Sequence, residues 1–391
     1  MEFETWWLLS IPVFFGLGWM AARIDIKQLL SESRSLPEGY FKGLNFLLNE
    51  QPDKAIDTFI EIVKLDPETA ELHFALGSLF CRRGEIERAI RVHQNLLSRP
   101  DLPQEQKEHA LYELGQDYLR AGLLDRAEET FNLLNETNYG VRARRALLEI
   151  YQRVKEWQRA IDAANALQES GAGGRQREVA QFYCELAQAE LVRTQPDAAR
   201  HLLNKALSVN RMNVRANILM GDALQANGDT EGALHAWKQV ERQSLPHVVL
   251  VAQRLMDGYH AVGRPQEGFN LLKSWLSEAP SIDLLEVMFK NLVELEGGEA
   301  AYNLVRDELW RTPTLLGLDK LLEARLLIAR PDSLPELTMV KDLVHGYALK
   351  LARYQCSQCG FKARQFYWQC PACSRWETYS PRRTEELSVM N

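Results

Sequence analysis

The chain has 391 residues, 46 Lys and Arg against 53 Asp and Glu, a formal net charge of −7, and six cysteines. That length exceeds the usual single core, yet it does not demand several domains, because a stack of repeats needs only neighbour contacts and can grow without one. The acidic balance argues against a broadly basic nucleic-acid surface. Cysteines this few and this uneven, four of them between Cys356 and Cys373, exclude a secreted disulfide framework.

Residues 6–22 are apolar apart from Ser10 and include Trp6, Trp7, Phe14, Phe15 and Trp19. At about 1.5 Å per residue such a run, with its flanks, crosses a thin hydrocarbon core. Glu2 and Glu4 stand where a cleaved signal peptide would carry basic residues, so residues 1–22 read as an uncleaved anchor. Arg23, Lys27 and Arg34 follow the span and nothing basic precedes it, which places the N-terminus outside and the bulk in the cytoplasm. Gly18 and Ala22, four apart, would form a face for a second membrane helix. Residues 23–36 form a short polar tether.

From 37 to 330 one pattern recurs. Gly43, Phe46 and Ala55 reappear as Gly77, Phe80 and Ala89, as Gly115, Tyr118 and Ala127, and as Gly221, Leu224 and Ala233. The small residue of each second helix continues through Ala160, Ala198, Gly268 and Ala301. A small residue on each helix of a hairpin allows close packing, and turn residues such as Pro67 and Asp101 close it. The spacing of 33–38 residues resembles the tetratricopeptide repeat, with seven or eight units and extra residues confined to loops. Cys81 and Cys184, alone within this array, read as small core or groove residues.

In such a stack the first helices line the concave side. Counting from the small positions, that lining comprises Arg142, Arg145, Glu149 and Gln152, then Arg215, Asp222 and Gln225, then Gln253, Asp257 and His260. A trough of mixed charge and amides suits an extended or helical peptide from a partner protein. Residues 331–351 read as a connector helix, and residues 381–391 as a tail.

Between them, residues 352–380 carry the one strong chemical signature. Cys356 and Cys359, then Cys370 and Cys373, form two Cys-x-x-Cys turns that can bring four thiolates onto one tetrahedral metal ion. Gly360 suits a left-handed turn after the first pair, and Pro371 stiffens the second. The turns resemble the knuckles of rubredoxin and of zinc ribbons, although Ser374 stands where rubredoxin has a second glycine. Bare chemistry favours zinc in a closed site of four thiolates, while the resemblance leaves iron open.

No Walker lysine, His-Glu-x-x-His or Gly-x-Ser-x-Gly is present, so the chain reads as a non-enzyme. The expected fold is all-α: a tetratricopeptide superhelical solenoid with an N-terminal transmembrane helix and a small C-terminal rubredoxin-like or zinc-ribbon module. This order of parts resembles the lipopolysaccharide assembly protein B family. The resemblance implies an inner-membrane adaptor that helps the membrane protease FtsH degrade the deacetylase committing precursor to lipid A. It also implies a second inner-membrane protein that relieves this restraint. Assembly with further copies of the chain is compatible with it. The alternatives are a membrane-anchored electron-transfer protein and a zinc-ribbon nucleic-acid binder, the latter resting on Lys362, Arg364 and Arg375.

Overall fold

The computed structural model describes residues 38–49, 51–65 and 69–389. The proposed anchor, with Gly18 and Ala22, and the tether lie outside the described residues. Among the described residues no helix is long and apolar enough to cross a membrane.

The chain divides into two compact units, residues 1–150 and 151–391. Helical hairpins build the first: α1 (Glu38–Leu48) with α2 (Pro52–Leu65), α3 (Ala70–Arg82) with α4 (Ile86–Leu97), and α5 (Gln104–Arg120) with α6 (Leu124–Asn132). Helix α7 (Gly140–Val154) runs across the division and α8 (Trp157–Glu169) follows it. The second unit continues with α9 (Gln176–Val192) and α10 (Pro196–Val209), α11 (Val214–Ala226) and α12 (Thr230–Gln243), and a 3-10 turn at Leu245–Leu250. After these come α13 (Ala252–Ala261) and α14 (Pro265–Glu278), α15 (Ile282–Leu295) and α16 (Gly298–Arg311), and α17 (Leu315–Leu327) with α18 (Leu334–Leu351).

Each second helix buries one stripe. In α2 the buried set is Ala55, Ile56, Phe59 and Ile62, and in α12 it is Ala233, Leu234, Ala236, Trp237 and Val240. Both follow the 3.6-residue period of an amphipathic helix. The glycine of the first helix has a specific counterpart. A Cβ on Gly43, Gly77, Gly115 or Gly221 would stand within 2.7 Å of the ring of Phe59, His93, Phe131 or Trp237, each sixteen residues further on. A flat ring lies on bare backbone in four hairpins, and one helix comes close to the other through that ring.

Gly221→Ala puts the new methyl 2.2 Å from Trp237 Nε1, whose N–H donates to Ile218 O at 3.1 Å and to Asp222 Oδ1 at 3.2 Å. The expected loss is about 1–3 kcal/mol, as for other overpacked cores, read as a lowered chemical-denaturation midpoint. If stability were unchanged, the ring-on-glycine contact would not be what sets this hairpin's spacing.

His93 takes the ring position in the second hairpin and remains buried. Its Nδ1 lies 2.6 Å from Asp117 Oδ2, and the Cys81 thiol donates to Asp117 Oδ1 at 2.7 Å. Burial, followed by the Asp117 carboxylate, pushes the Cys81 thiol up to about 11, so it is inert at neutral pH. Cys184 is fully buried among small residues. Of the two cysteines expected in core or groove positions, Cys184 lies in the core and Cys81 is half-buried against it.

The hairpin turns fix the register. Gly84, Gly122, Lys155, Thr194, Gly228 and Gly263 all have φ between +57° and +81°. The next residue's N–H bonds back five residues, as Glu85 to Phe80 O and Gln195 to Glu190 O. This is the Schellman closure, in which the left-handed residue satisfies the last carbonyls of the helix. The buried small residue comes five positions after each left-handed one. Thr194 therefore points to Ala199, which is fully buried, whereas Ala198 is exposed. The periodicity alone places the small residue at Ala198, one position early.

Candidate metal centre

After α18 the chain forms two short antiparallel strands, β1 (Tyr354–Gln355) and β2 (Lys362–Ala363), with Tyr354 opposite Ala363. The first Cys-x-x-Cys turn is the loop between them. The Gly360 N–H donates to Cys356 O and the Cys356 N–H to Phe361 O, both at 3.0 Å. The second turn repeats this: the Ser374 N–H donates to Cys370 O and the Cys370 N–H to Arg375 O, both at 2.8 Å. Gly360 has φ +76° and Ser374 +56°, so the serine adopts the left-handed conformation that glycine supplies in the first turn. Bridges from Cys356 to Tyr379 and from Gln369 to Trp376 hold the turns together.

The four Sγ atoms lie within 4.8 Å of one another, with Cys356–Cys373 at 3.8 Å and Cys359–Cys370 at 3.7 Å. A tetrahedron with metal–sulfur bonds of about 2.3 Å has edges of about 3.8 Å, so the donor set fits one ion. Zinc and iron fit it equally by distance. Burial of Cys356 opposes its thiolate. The Thr378 hydroxyl at 3.2 Å and the N–H groups of Cys359 and Gln358 outweigh that and bring the thiol down to about 6. The Phe361 N–H donates to the Cys359 sulfur and favours its thiolate, but burial and the three neighbouring sulfurs push it up to about 12. A divalent cation held by Cys356, Cys359, Cys370 and Cys373 would displace these shared protons and offset half of the charge of the four thiolates.

The module docks on the repeat helices of the second unit through a few named side chains. The Trp376 indole meets Trp157 and Phe182 edge-on, at centroid distances of 5.9 and 6.0 Å, and its N–H donates to Gln152 Oε1 at 3.3 Å. Gln181, fully buried, donates to Glu377 Oε1 at 2.6 Å. Trp368 stacks on His247 in the 3-10 turn, with ring planes 12° apart.

Further along, the Tyr354 hydroxyl donates to Asp283 Oδ2 at 2.8 Å, and the Arg383 guanidinium grips the same carboxylate through Nε and Nη2. Arg383 also covers the Tyr354 ring, 4.1 Å from its centroid. Residues Thr384–Val389 form a short helix, α19. Its Glu385 accepts from the N–H groups of Leu315 and Leu316 at the start of α17, and Glu386 from the N–H of Ile282 at the start of α15. Two successive carboxylates thus cap two helix N-termini, where unsatisfied N–H groups and the helix dipole favour negative charge.

Of the residues expected to line the trough, Gln152 accepts from Trp376. Arg215 is buried, ion-paired to Glu185 at 2.7 Å and bonded to Gln188 at 2.6 Å. Asp222 accepts from Trp237 and from Arg254 Nε at 2.7 Å, Gln253 donates to Asp257 at 2.8 Å, and His260 lies 3.1 Å from Asn291 Oδ1. Gln225, Gln253, Asp257 and His260 are exposed. In the first unit, Arg142, Arg145 and Glu149 are exposed on α7, with Arg142 over the Tyr139 ring.

Residues 354–381 match the family described as rubredoxin metal binding domain, and residues 42–97 and 184–247 match the tetratricopeptide repeat. Lipopolysaccharide assembly protein B of Escherichia coli strain K12 is 37% identical over 379 residues, 96% of this chain and 97% of that protein. The chain belongs to the lipopolysaccharide assembly protein B family. The protein of that name from Haemophilus influenzae is 29% identical over 97% of this chain and 98% of its own length. Among solved structures, Naa15/Naa10 bound to HypK-THB aligns with a TM-score of 0.43 at 13% identity, over 80% of this chain and 50% of that one.

In this member of the lipopolysaccharide assembly protein B family, sequence reasoning locates the four cysteines and misses what docks them. Trp376, Asp283, Arg383 and the Glu385–Glu386 pair belong to no motif. An Arg-Arg-Thr-Glu-Glu run after a metal knuckle is the one local hint, since it reads as a helix start with acidic first-turn residues.

His247 carries a pH signature. Burial lowers its pKa from 6.5 to about 4, so the folded protein holds the ring neutral beneath Trp368. Between those values the unfolded chain binds the extra proton. Its contribution is therefore fully present above pH 6.5 and is lost as the pH falls toward 4. The expected cost is on the order of 1 kcal/mol per pH unit over that range, read as a falling melting temperature of the second unit. His247→Phe should flatten that slope, and an unchanged slope would remove the histidine from the explanation.

Proposed function

We propose that this protein is a non-catalytic adaptor held at the inner membrane by residues 1–22, with its repeats and metal module in the cytoplasm. It restrains lipopolysaccharide synthesis by presenting the committed-step lipid A deacetylase to the membrane protease FtsH. A second inner-membrane protein relieves that restraint. Bond breaking belongs to the protease. Family membership supports the pathway, and one structural observation supports the adaptor role. Trp376, Glu377, Tyr354 and Arg383 of the four-cysteine module are committed to the repeat helices, which suits a metal that maintains shape.

Client capture is assigned to the exposed trough residues of the first unit, Arg142, Arg145 and Glu149. Gln225, Gln253, Asp257 and His260 form a separate exposed set in the second. Measuring the deacetylase half-life in cells tests the reading. Deleting residues 1–22, or making Arg142→Glu with Arg145→Glu, should lengthen it several-fold while the adaptor itself stays folded and abundant. A half-life equal to wild type in both strains would refute the anchor and the trough. Visible absorption and elemental analysis of the purified chain separate a coloured ferric thiolate site from silent zinc.

A further inference from the structure

Helix α18 (Leu334–Leu351) has an unusual surface. It packs on α17 through Ala348 and through His345, whose Nδ1 lies 2.9 Å from Asp319 Oδ2. Its other side exposes Met339, Leu343 and Tyr347 to 62%, 61% and 65%. Spaced four apart, these three form one stripe along the helix.

The ends of the stripe are charged and opposite. Glu336 lies seven residues before Leu343 and Lys350 seven residues after it, on the same face. Met339 and Tyr347 lie four residues to either side. The order acid, Met, Leu, Tyr, base is therefore self-complementary under a two-fold rotation about Leu343. At Gly346, beside the stripe, nothing lies within 4 Å of where a Cβ would stand, so another backbone can approach closely.

We propose that α18 is an interaction surface for a second copy of this chain, paired antiparallel with the two-fold axis through Leu343. Leu343 then meets Leu343 of the second copy, Met339 packs on the Tyr347 ring of the other chain in two equivalent contacts, and Glu336 pairs with Lys350 twice. Sulfur on an aromatic face is a favourable contact. Lys350 already leans over Tyr347 of its own helix, 5.0 Å from the ring, which positions its ammonium beside the stripe. A parallel pairing in the same register would set Glu336 on Glu336 and Lys350 on Lys350, so charge selects the antiparallel one. A bilayer is the poorer occupant. Glu336 and Asp342 lie among the exposed residues of this helix, whereas helices that rest on anionic lipid carry a predominantly basic polar face.

The test uses the full chain in detergent micelles. Sedimentation equilibrium should give a dimer, and Leu343→Asp should weaken it by about 30-fold or more, since the residue is central and is counted twice. Glu336→Lys and Lys350→Glu should each weaken the dimer, and the double swap should restore it, a rescue that a misfolded variant could not give. Leu343→Cys should crosslink to itself. Met339→Cys should crosslink to Tyr347→Cys in a mixture and not to its own kind. A monomer at all concentrations, a dimer indifferent to Leu343→Asp, or self-crosslinking at 339 and 347 would overturn the proposal. So would a monomer whose Leu343→Cys, spin-labelled in liposomes, relaxes with an apolar quencher dissolved in the lipid, which would assign the stripe to lipid.

Discussion

Replacing Cys356 and Cys359 together by serine is expected to abolish metal binding and to release residues 354–389 from the second unit. The module's own buried core is Tyr354, Cys356, Cys370 and Tyr379, and two of those four are ligands. So few apolar groups cannot hold about thirty residues without the ion. Structural zinc sites contribute roughly 10–16 kcal/mol to the folding of comparably small modules, which makes this the largest single effect predicted for the chain. Elemental analysis should show no bound metal, and hydrogen exchange should show protection lost from the module and reduced at Ile282, Leu315 and Leu316, whose amides Glu385 and Glu386 cap. Client half-life is expected to lengthen, as proposed for loss of the anchor. Intact protection without metal would mean that the aromatic contacts suffice on their own.

Asp283→Ala should be the most damaging change outside the metal ligands. The side chains of Asp283 and Arg383 are 19% and 18% exposed, and the carboxylate serves the guanidinium and the Tyr354 hydroxyl together. Removing one partner of a buried pair costs about 3–5 kcal/mol because the other charge remains unpaired. Partial exposure of this pair reduces the expectation to about 2–3 kcal/mol. Asp283→Asn, which keeps an acceptor, should cost less. The double variant Asp283→Ala with Arg383→Met should cost less than the sum of its parts, because it leaves no stranded cation. Denaturant unfolding of these variants and of Arg383→Met alone measures this, and strict additivity would show that the two side chains act independently.

The hairpins and the metal knuckles were legible because their signals are local. Glycine, ring and small residue recur within one repeat, and each Cys-x-x-Cys turn is complete in a few residues. Where a local signal is missing, the reading slips. At Thr194, as at Lys155, no glycine marks the left-handed residue, and at Thr194 the periodicity points to Ala198 where the buried residue is Ala199. Trough residues chosen from generic repeat geometry fared unevenly for a different reason. Gln152 is met by Trp376 and Arg215 is buried by neighbouring helices, and the first of these contacts spans 224 residues of sequence. No periodicity reports a contact of that span. The docking of the module rests on such pairs, which is why its ligands were visible and its seat was not.

An ideal repeat stack touches only its neighbours and melts piecemeal from its ends. The second unit departs from that behaviour, because Trp376 returns to Gln152, Glu377 to Gln181 and Glu386 to Ile282. Such a clasp converts an open spring into a closed ring. Fraying at one helix then strains contacts at several others, so the helices from α8 to α17 should come apart as one cooperative block, at a denaturant concentration set by the ion.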